Sequence, residues 1–309
     1  MRIKVDILRF LVCIIVFKLT VFTSLAQVDK YIYEYKVKQV ANSELEQQLI
    51  ESVDSQTFLD QLSACLSDTI VVVRYKSYEL LYRKGIAVSS DDQTLIVEQL
   101  TKGCLDKNST ILYRCLQYLQ DFPQKAFNHN ARLTLERLLR KTSGTYYKEL
   151  ILMAGYLSLG QEILKQKLLL SEDFTPQQIW HMHLALARMG DVKSTAYCIQ
   201  LAKKVPDGND KVAYVLPDLI YTRQKDAIAY CIEVLNDDRE NCLSPDPDSN
   251  EQICCGYRVM ELLAPLIEGF PFQVDASGTL NTENYQEALH RSRKWFASNP
   301  DFHILTHSF

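Results

Sequence analysis

Glycine and proline are scarce in this chain, at 10 and 9 of its 309 residues. An all-β fold needs turn residues about every ten positions, so this composition favours helices. Lysine and arginine form no run, and the formal net charge is −4. That argues against nucleic acid and anionic lipid, both of which are bound by neutralising phosphate. There is no G-x-S-x-G, no P-loop and no G-x-G-x-x-G, so no nucleophile elbow or phosphate cradle is written into the chain. No C-x-x-C pair or Cys/His spacing has the form of a zinc site. No apolar run reaches the roughly 20 residues that span a bilayer.

What is present is the composition of an ordered protein, 47% apolar and 23% charged. The length fits two globules or one extended array. Residues 1–26 read as a cleaved signal peptide. Arg2, Lys4 and Arg9 make a basic start, Phe10 to Phe17 is apolar, Lys18 interrupts the run, and Ser24-Leu25-Ala26 offers a cleavage site before Gln27. The expectation is export to the periplasm or cell envelope, with no membrane insertion after cleavage. The leader carries four basic residues against Asp6 alone, so the remainder is more acidic than the whole chain.

Hydrophobic periodicity then predicts helices throughout. Residues 27–54 form an N-terminal capping segment, with Tyr31, Tyr33 and Tyr35 alternating. Ser43-Glu44-Leu45-Glu46 is a capping box opening a helix to about Val53. Residues 58–85, FLDQLSACLSDTIVVVRYKSYELLYRKG, carry a helix, an aspartate-marked turn and a second helix closed by Gly85. Ser90 and Gln93 cap the next helix. Further helices fall at 94–104, 110–121, 128–140, 145–159, 161–170, 177–189, 192–204, 210–222, 225–236 and 253–268. Thr175-Pro176-Gln177-Gln178 opens one of them, Gly160 and Gly190 end two, and Pro217 is expected to kink another. Residues 240–252 read as a polar, proline-broken inserted loop. Residues 271–309 form a C-terminal capping helix and tail, with Trp295 and Phe296 on the helix's apolar side.

The candidates for chemistry are few. His181 and His183, two apart on a helix, face different ways and do not share a metal. His303 and His307 have metal-ligand spacing but no glutamate beside them and no third ligand in sight. Asp246, Asp248 and Asn250 imitate a calcium loop, yet Glu251 stands where that loop needs glycine and Tyr257 where it needs glutamate. No metal or cofactor is expected. Cys65, Cys104, Cys198 and Cys231 fall at apolar helix positions, as small buried hydrophobes do. A disulfide from Cys242 to Cys254, or to its neighbour Cys255, would close the loop between them.

Residues 68–85 resemble the second half of a HEAT-type repeat. Asp68 stands five residues before Val73-Arg74, Ser77 takes the small position, Leu81 the apolar one, and Gly85 closes the unit. Ala185 to Asp191 is similar to the end of such a unit, and Asp226 to Asp238 to its first helix. Between 104 and 150 the pattern departs, with Arg114 displaced and the small residue missing. The resemblance implies an all-α protein, an α-solenoid of about six stacked antiparallel helix pairs over 55–270. It also implies that Asp68 and Arg74 bond repeat to repeat, and that the protein binds a protein or peptide without catalysis. The expected surface is the face of the second helices, where Tyr78, Tyr82, Tyr113 and Tyr118 could supply rigid amphipathic contact area. Two other readings stand beside it. One is a structural subunit or spacer of an envelope assembly. The other is a glycan-binding or enzymatic protein with a site near 240–252.

Overall fold

A computed structural model describes residues 31–141, 146–244, 250–306 and 309. The leader expected over 1–26 lies outside the described residues, as do Asp246, Asp248 and His307. The fold is all-α. Helices α1 (31–38), α2 (Ser43–Ser52), α3 (Ser55–Leu66), α4 (Val71–Ala87), α5 (Ser90–Gly103) and α6 (Ser109–Leu119) come first. They are followed by α7 (His129–Arg140), α8 (Tyr147–Leu157), α9 (Gln161–Leu169), α10 (Pro176–Arg188) and α11 (Val192–Lys204). The last are α12 (Leu216–Tyr221), α13 (Lys225–Leu235), α14 (Gly256–Leu263) and α15 (Tyr285–Ser298). Among the described residues, none of these helices is long and apolar enough to cross a membrane.

Short polar side chains start several of them. Asn42, Asp54, Asn108, Asp191 and Asn284 each accept a hydrogen bond from a first-turn amide. At α10 the capping box is complete, Thr175 accepting from the Gln178 amide while the Gln178 side chain accepts from the Thr175 amide. The expected box at Ser43 is corrected. Asn42 is the cap, and Glu46 turns inward, where it is 1% exposed. There it accepts from the Tyr31 hydroxyl at 2.6 Å and pairs with Lys76 at 3.1 Å and with Arg83. At α5 the cap position falls on Ser89, one residue before the expected Ser90, and the Gln93 side-chain amide donates to the Gly85 carbonyl.

Gly85 does not end its helix, and α4 runs on to Ala87. A Cβ on Gly85 would lie 2.6 Å from the Phe122 ring and 2.8 Å from Ile96, so the glycine marks a close approach of neighbouring elements. Gly160 and Gly190, with φ of +63° and +91°, do follow helix ends. Pro217 contributes no amide hydrogen, and a π-helical turn over Lys211–Val215 precedes α12 there.

The chain divides within α7, between Leu135 and Glu136, into two compact units. In the first, α3 packs on α4 and α5, and α4 packs on α5 and α6, so consecutive helices alternate between two layers. Phe58, Leu62, Leu80, Leu81, Ile96, Leu100 and Phe122 fill the space between them, each 1% exposed or less. In the second unit α8, α10, α12 and α14 pack in succession, while α11 packs on α13 on the other side. Its core includes Leu184, Leu216, Ile228, Met260 and Leu263. Each fully buried aliphatic side chain of this kind contributes about 1.5–3 kcal/mol relative to exposure. This alternation is the repeat-like packing that stacked helix pairs require.

Three cysteines behave as core residues as expected: Cys104, Cys198 and Cys231 are buried free thiols, while Cys65 is half-buried. The 240–252 segment is described at both of its ends. Its ends pair as antiparallel strands β1 (Cys242–Leu243) and β2 (Gln252–Ile253), and Cys242 is wholly buried. The disulfide joins Cys242 to Cys255, not to Cys254. Cys242 opposes Ile253, so side-chain alternation turns residue 254 away and returns residue 255 to the Cys242 face. Cys254 is left as a buried thiol that donates to the Asp237 carbonyl.

Candidate functional site

The first unit brings an aromatic and cationic strip onto α4 and α6. Tyr75 and Tyr82 lie seven residues apart on α4, and Arg114 and Tyr118 four apart on α6, so each pair shares a helix face. Tyr82 stacks on Tyr118 with ring centroids 4.2 Å apart and planes within 8°. The Tyr82 hydroxyl donates to Asp121 at 2.6 Å, and the Arg114 guanidinium lies 6.0 Å over the Tyr118 ring. Arg114 also lies beside Tyr75, which favours its charged form. It donates to Gln117 at 3.1 Å, and Gln117 donates to the Tyr113 hydroxyl at 3.0 Å. Tyr113, Arg114, Gln117, Tyr118, Tyr82 and Asp121 therefore form one connected chain across the two helices.

Burial first, and then the hydrogen bond to Asp121, push the Tyr82 hydroxyl up to about 12. Burial raises Tyr118 as well, and the neighbouring Tyr75 raises Arg114, so Arg114 stays charged and the Tyr82 and Tyr118 phenols stay neutral at ordinary pH. Of the four tyrosines singled out in the sequence, the structure brings Tyr82, Tyr113 and Tyr118 together. Tyr78 is elsewhere: it is 7% exposed and packs inward, close to Gly103. Tyr78 stands three residues from Tyr75 and four from Tyr82, on the same side of α4, so spacing along the helix did not separate it from them. Arg114, which departs from the repeat pattern, is the centre of the strip.

Beneath this surface the two turns of the unit are tied together. Arg74 binds both carboxylate oxygens of Asp106, at 2.7 and 2.9 Å, and donates to the Asp68 carbonyl at 2.8 Å. Asp68 accepts the amide of Ile70 and Asp106 that of Asn108, the same turn made twice. Arg74 thus joins the α3–α4 turn to the α5–α6 turn, and the Asp68 carboxylate serves its own turn only.

In the second unit a groove of about 730 Å³ opens beside the start of α11, lined by Lys165, His183, Leu186, Asp191, Lys193 and Ser194 among others. His183 Nδ1 lies 3.1 Å from the Ser194 hydroxyl, and Asp191 accepts the Ser194 amide at 2.8 Å. An acyl-transfer relay needs the imidazole between carboxylate and hydroxyl. Here Asp191 accepts the Ser194 backbone amide as the cap of α11, and Ser194 is buried, so the three do not form that relay. His181 is buried on α10, and burial together with the Lys148 charge pushes it down to about 4. His303 pairs with Glu268 at 3.2 Å on the surface. Among the described residues no three His, Cys, Asp or Glu side chains gather as a metal site would need.

The class these features define is an all-α protein of alternating, repeat-like helix packing. No family model, curated protein or solved structure matches the chain.

Proposed function

We propose that this protein is an exported, non-enzymatic scaffold of the HEAT-like kind, an α-solenoid that binds a protein or peptide of the cell envelope. The carrying observation is the connected Tyr82–Tyr118–Arg114 strip on α4 and α6, the second helices of their pairs. Its ring faces are already stacked on one another. What it offers a partner is therefore ring edges, hydroxyls and one guanidinium fixed in place, a preorganised surface that loses little entropy on binding. Tyrosine and arginine are also the residue types that dominate protein interfaces.

The test is site-specific photocrosslinking in envelope extract from a probe at position 117, compared between the wild-type chain and Arg114→Glu. The expected outcome is one dominant crosslinked species that Arg114→Glu reduces by at least about tenfold, equal to roughly 1.4 kcal/mol. A crosslinking pattern unchanged by Arg114→Glu overturns the assignment of this surface.

A further inference from the structure

Phe309 is seated in a pocket of the second unit made by two tyrosines and two arginines. Its ring meets Tyr156 edge-on at 5.4 Å and Tyr221 at 5.7 Å. Its backbone oxygen accepts from Arg223 Nη2 at 3.1 Å, and the Thr306 carbonyl lies 3.5 Å from Arg188 Nη2. Arg188 covers the faces of both tyrosines, 5.5 Å from the Tyr156 ring and 5.0 Å from the Tyr221 ring. The pocket is rigid where it matters, because the buried Tyr221 hydroxyl is fixed to the Leu152 carbonyl at 2.5 Å.

Two further observations set this place apart. Arg223 has φ of +55°, a left-handed conformation that costs a non-glycine residue about 1–3 kcal/mol and that concentrates at ligand-binding positions. The two arginines also raise the local positive potential together. Burial, and then the neighbouring Arg188 charge, lower Arg223 to about 10. A negatively charged oxygen at the position of the Phe309 oxygen would relieve that repulsion.

We propose that this pocket is a receptor for a phenylalanine-type residue carrying a carboxylate, as at the end of a peptide, and that Phe309 occupies it in cis as an internal competitor. The aromatic ring supplies the apolar contact, and the Arg223 guanidinium, with the Arg188 charge nearby, selects a carboxylate over an amide. The pocket is independent of the α4–α6 strip, so neither proposal falls with the other.

Isothermal titration with N-acetyl-L-phenylalanine tests it on the whole chain and on Phe309→Ala. Phe309→Ala is expected to bind one equivalent, at least about tenfold more tightly than the intact chain. N-acetyl-L-phenylalaninamide is expected to bind Phe309→Ala at least about tenfold more weakly than the acid, and adding Arg223→Met to Phe309→Ala is expected to abolish binding. Equal binding to the intact chain and the variant, equal binding of acid and amide, or no binding to folded Phe309→Ala overturns the proposal. If Phe309→Ala does not fold, hydrogen exchange on the intact chain decides. Excess N-acetyl-L-phenylalanine must accelerate exchange of the Phe309 amide, and unchanged exchange overturns the proposal.

Discussion

His181 is the residue whose burial has the clearest consequence for stability. An unfolded histidine takes up its proton near 6.5, whereas burial and the Lys148 charge hold the folded imidazole neutral down to about 4. Above pH 6.5 the group contributes no pH dependence. As pH falls from 6.5 towards 4 the unfolded state binds the proton first, and stability is lost, by on the order of 3 kcal/mol. Denaturant titrations at pH 7.5 and 4.5 are expected to show that His181→Leu flattens this loss. An equally steep loss in the variant would assign it to other groups. The cysteines make the complementary point. Their helical phase marked Cys104, Cys198 and Cys231 as core, because an apolar stripe is a local pattern. The partner of Cys242 depended on a strand register between residues distant from each other. Non-reducing peptide mapping is expected to recover Cys242 linked to Cys255 and Cys254 as the alkylatable thiol. Replacing Cys242 and Cys255 by serine is expected to cost about 3 kcal/mol, the loop-closure value for a ring of this size.

At the level of elements, α4 separates what local signals can say from what they cannot. Glycine is a poor interior helix former, and reading Gly85 as a stop follows from sequence alone. The structure keeps the helix going because Phe122 and Ile96 occupy the space that a side chain would need. Gly85→Ala therefore sets a gain of about 1 kcal/mol in helix propensity against overpacking of about 1–3 kcal/mol. A net loss of up to about 2 kcal/mol is expected from the shift of the urea midpoint, with m unchanged. A stabilised variant would show that the contact relaxes freely. The capping signals fared differently from one another. Thr175 with Gln178 was readable because both partners are local, whereas Glu46 was drawn from its expected capping role by Tyr31, Lys76 and Arg83.

For the whole molecule, the tie that matters is Arg74 with Asp106, both almost fully buried. Burial pushes the Asp106 carboxyl up, but the Arg74 hydrogen bonds and the Asn108 amide outweigh it and hold the group below the usual carboxylate range. That contribution is complete above the ordinary carboxylate value and is lost as pH falls through the lower folded one. Arg74→Ala leaves a buried carboxylate without its cation and is expected to cost about 3–5 kcal/mol in chemical denaturation. The Arg74–Asp106 tie and the Cys242–Cys255 bridge belong to different units and share no partner. Their effects are expected to add within about 0.5 kcal/mol, and a double-mutant cycle with larger coupling would contradict that independence.

Helical class, most helix positions and the core cysteines follow from the chain's own composition and periodicity, because backbone propensity and apolar phase act over a few residues. Close approaches such as Gly85, the Cys242–Cys255 pairing, the inward turn of Glu46 and Tyr78, and the meeting of Tyr82 with Tyr118 were decided only by tertiary packing. Each of these depends on which side chains of another element arrive at the same place, and spacing along one helix does not encode that.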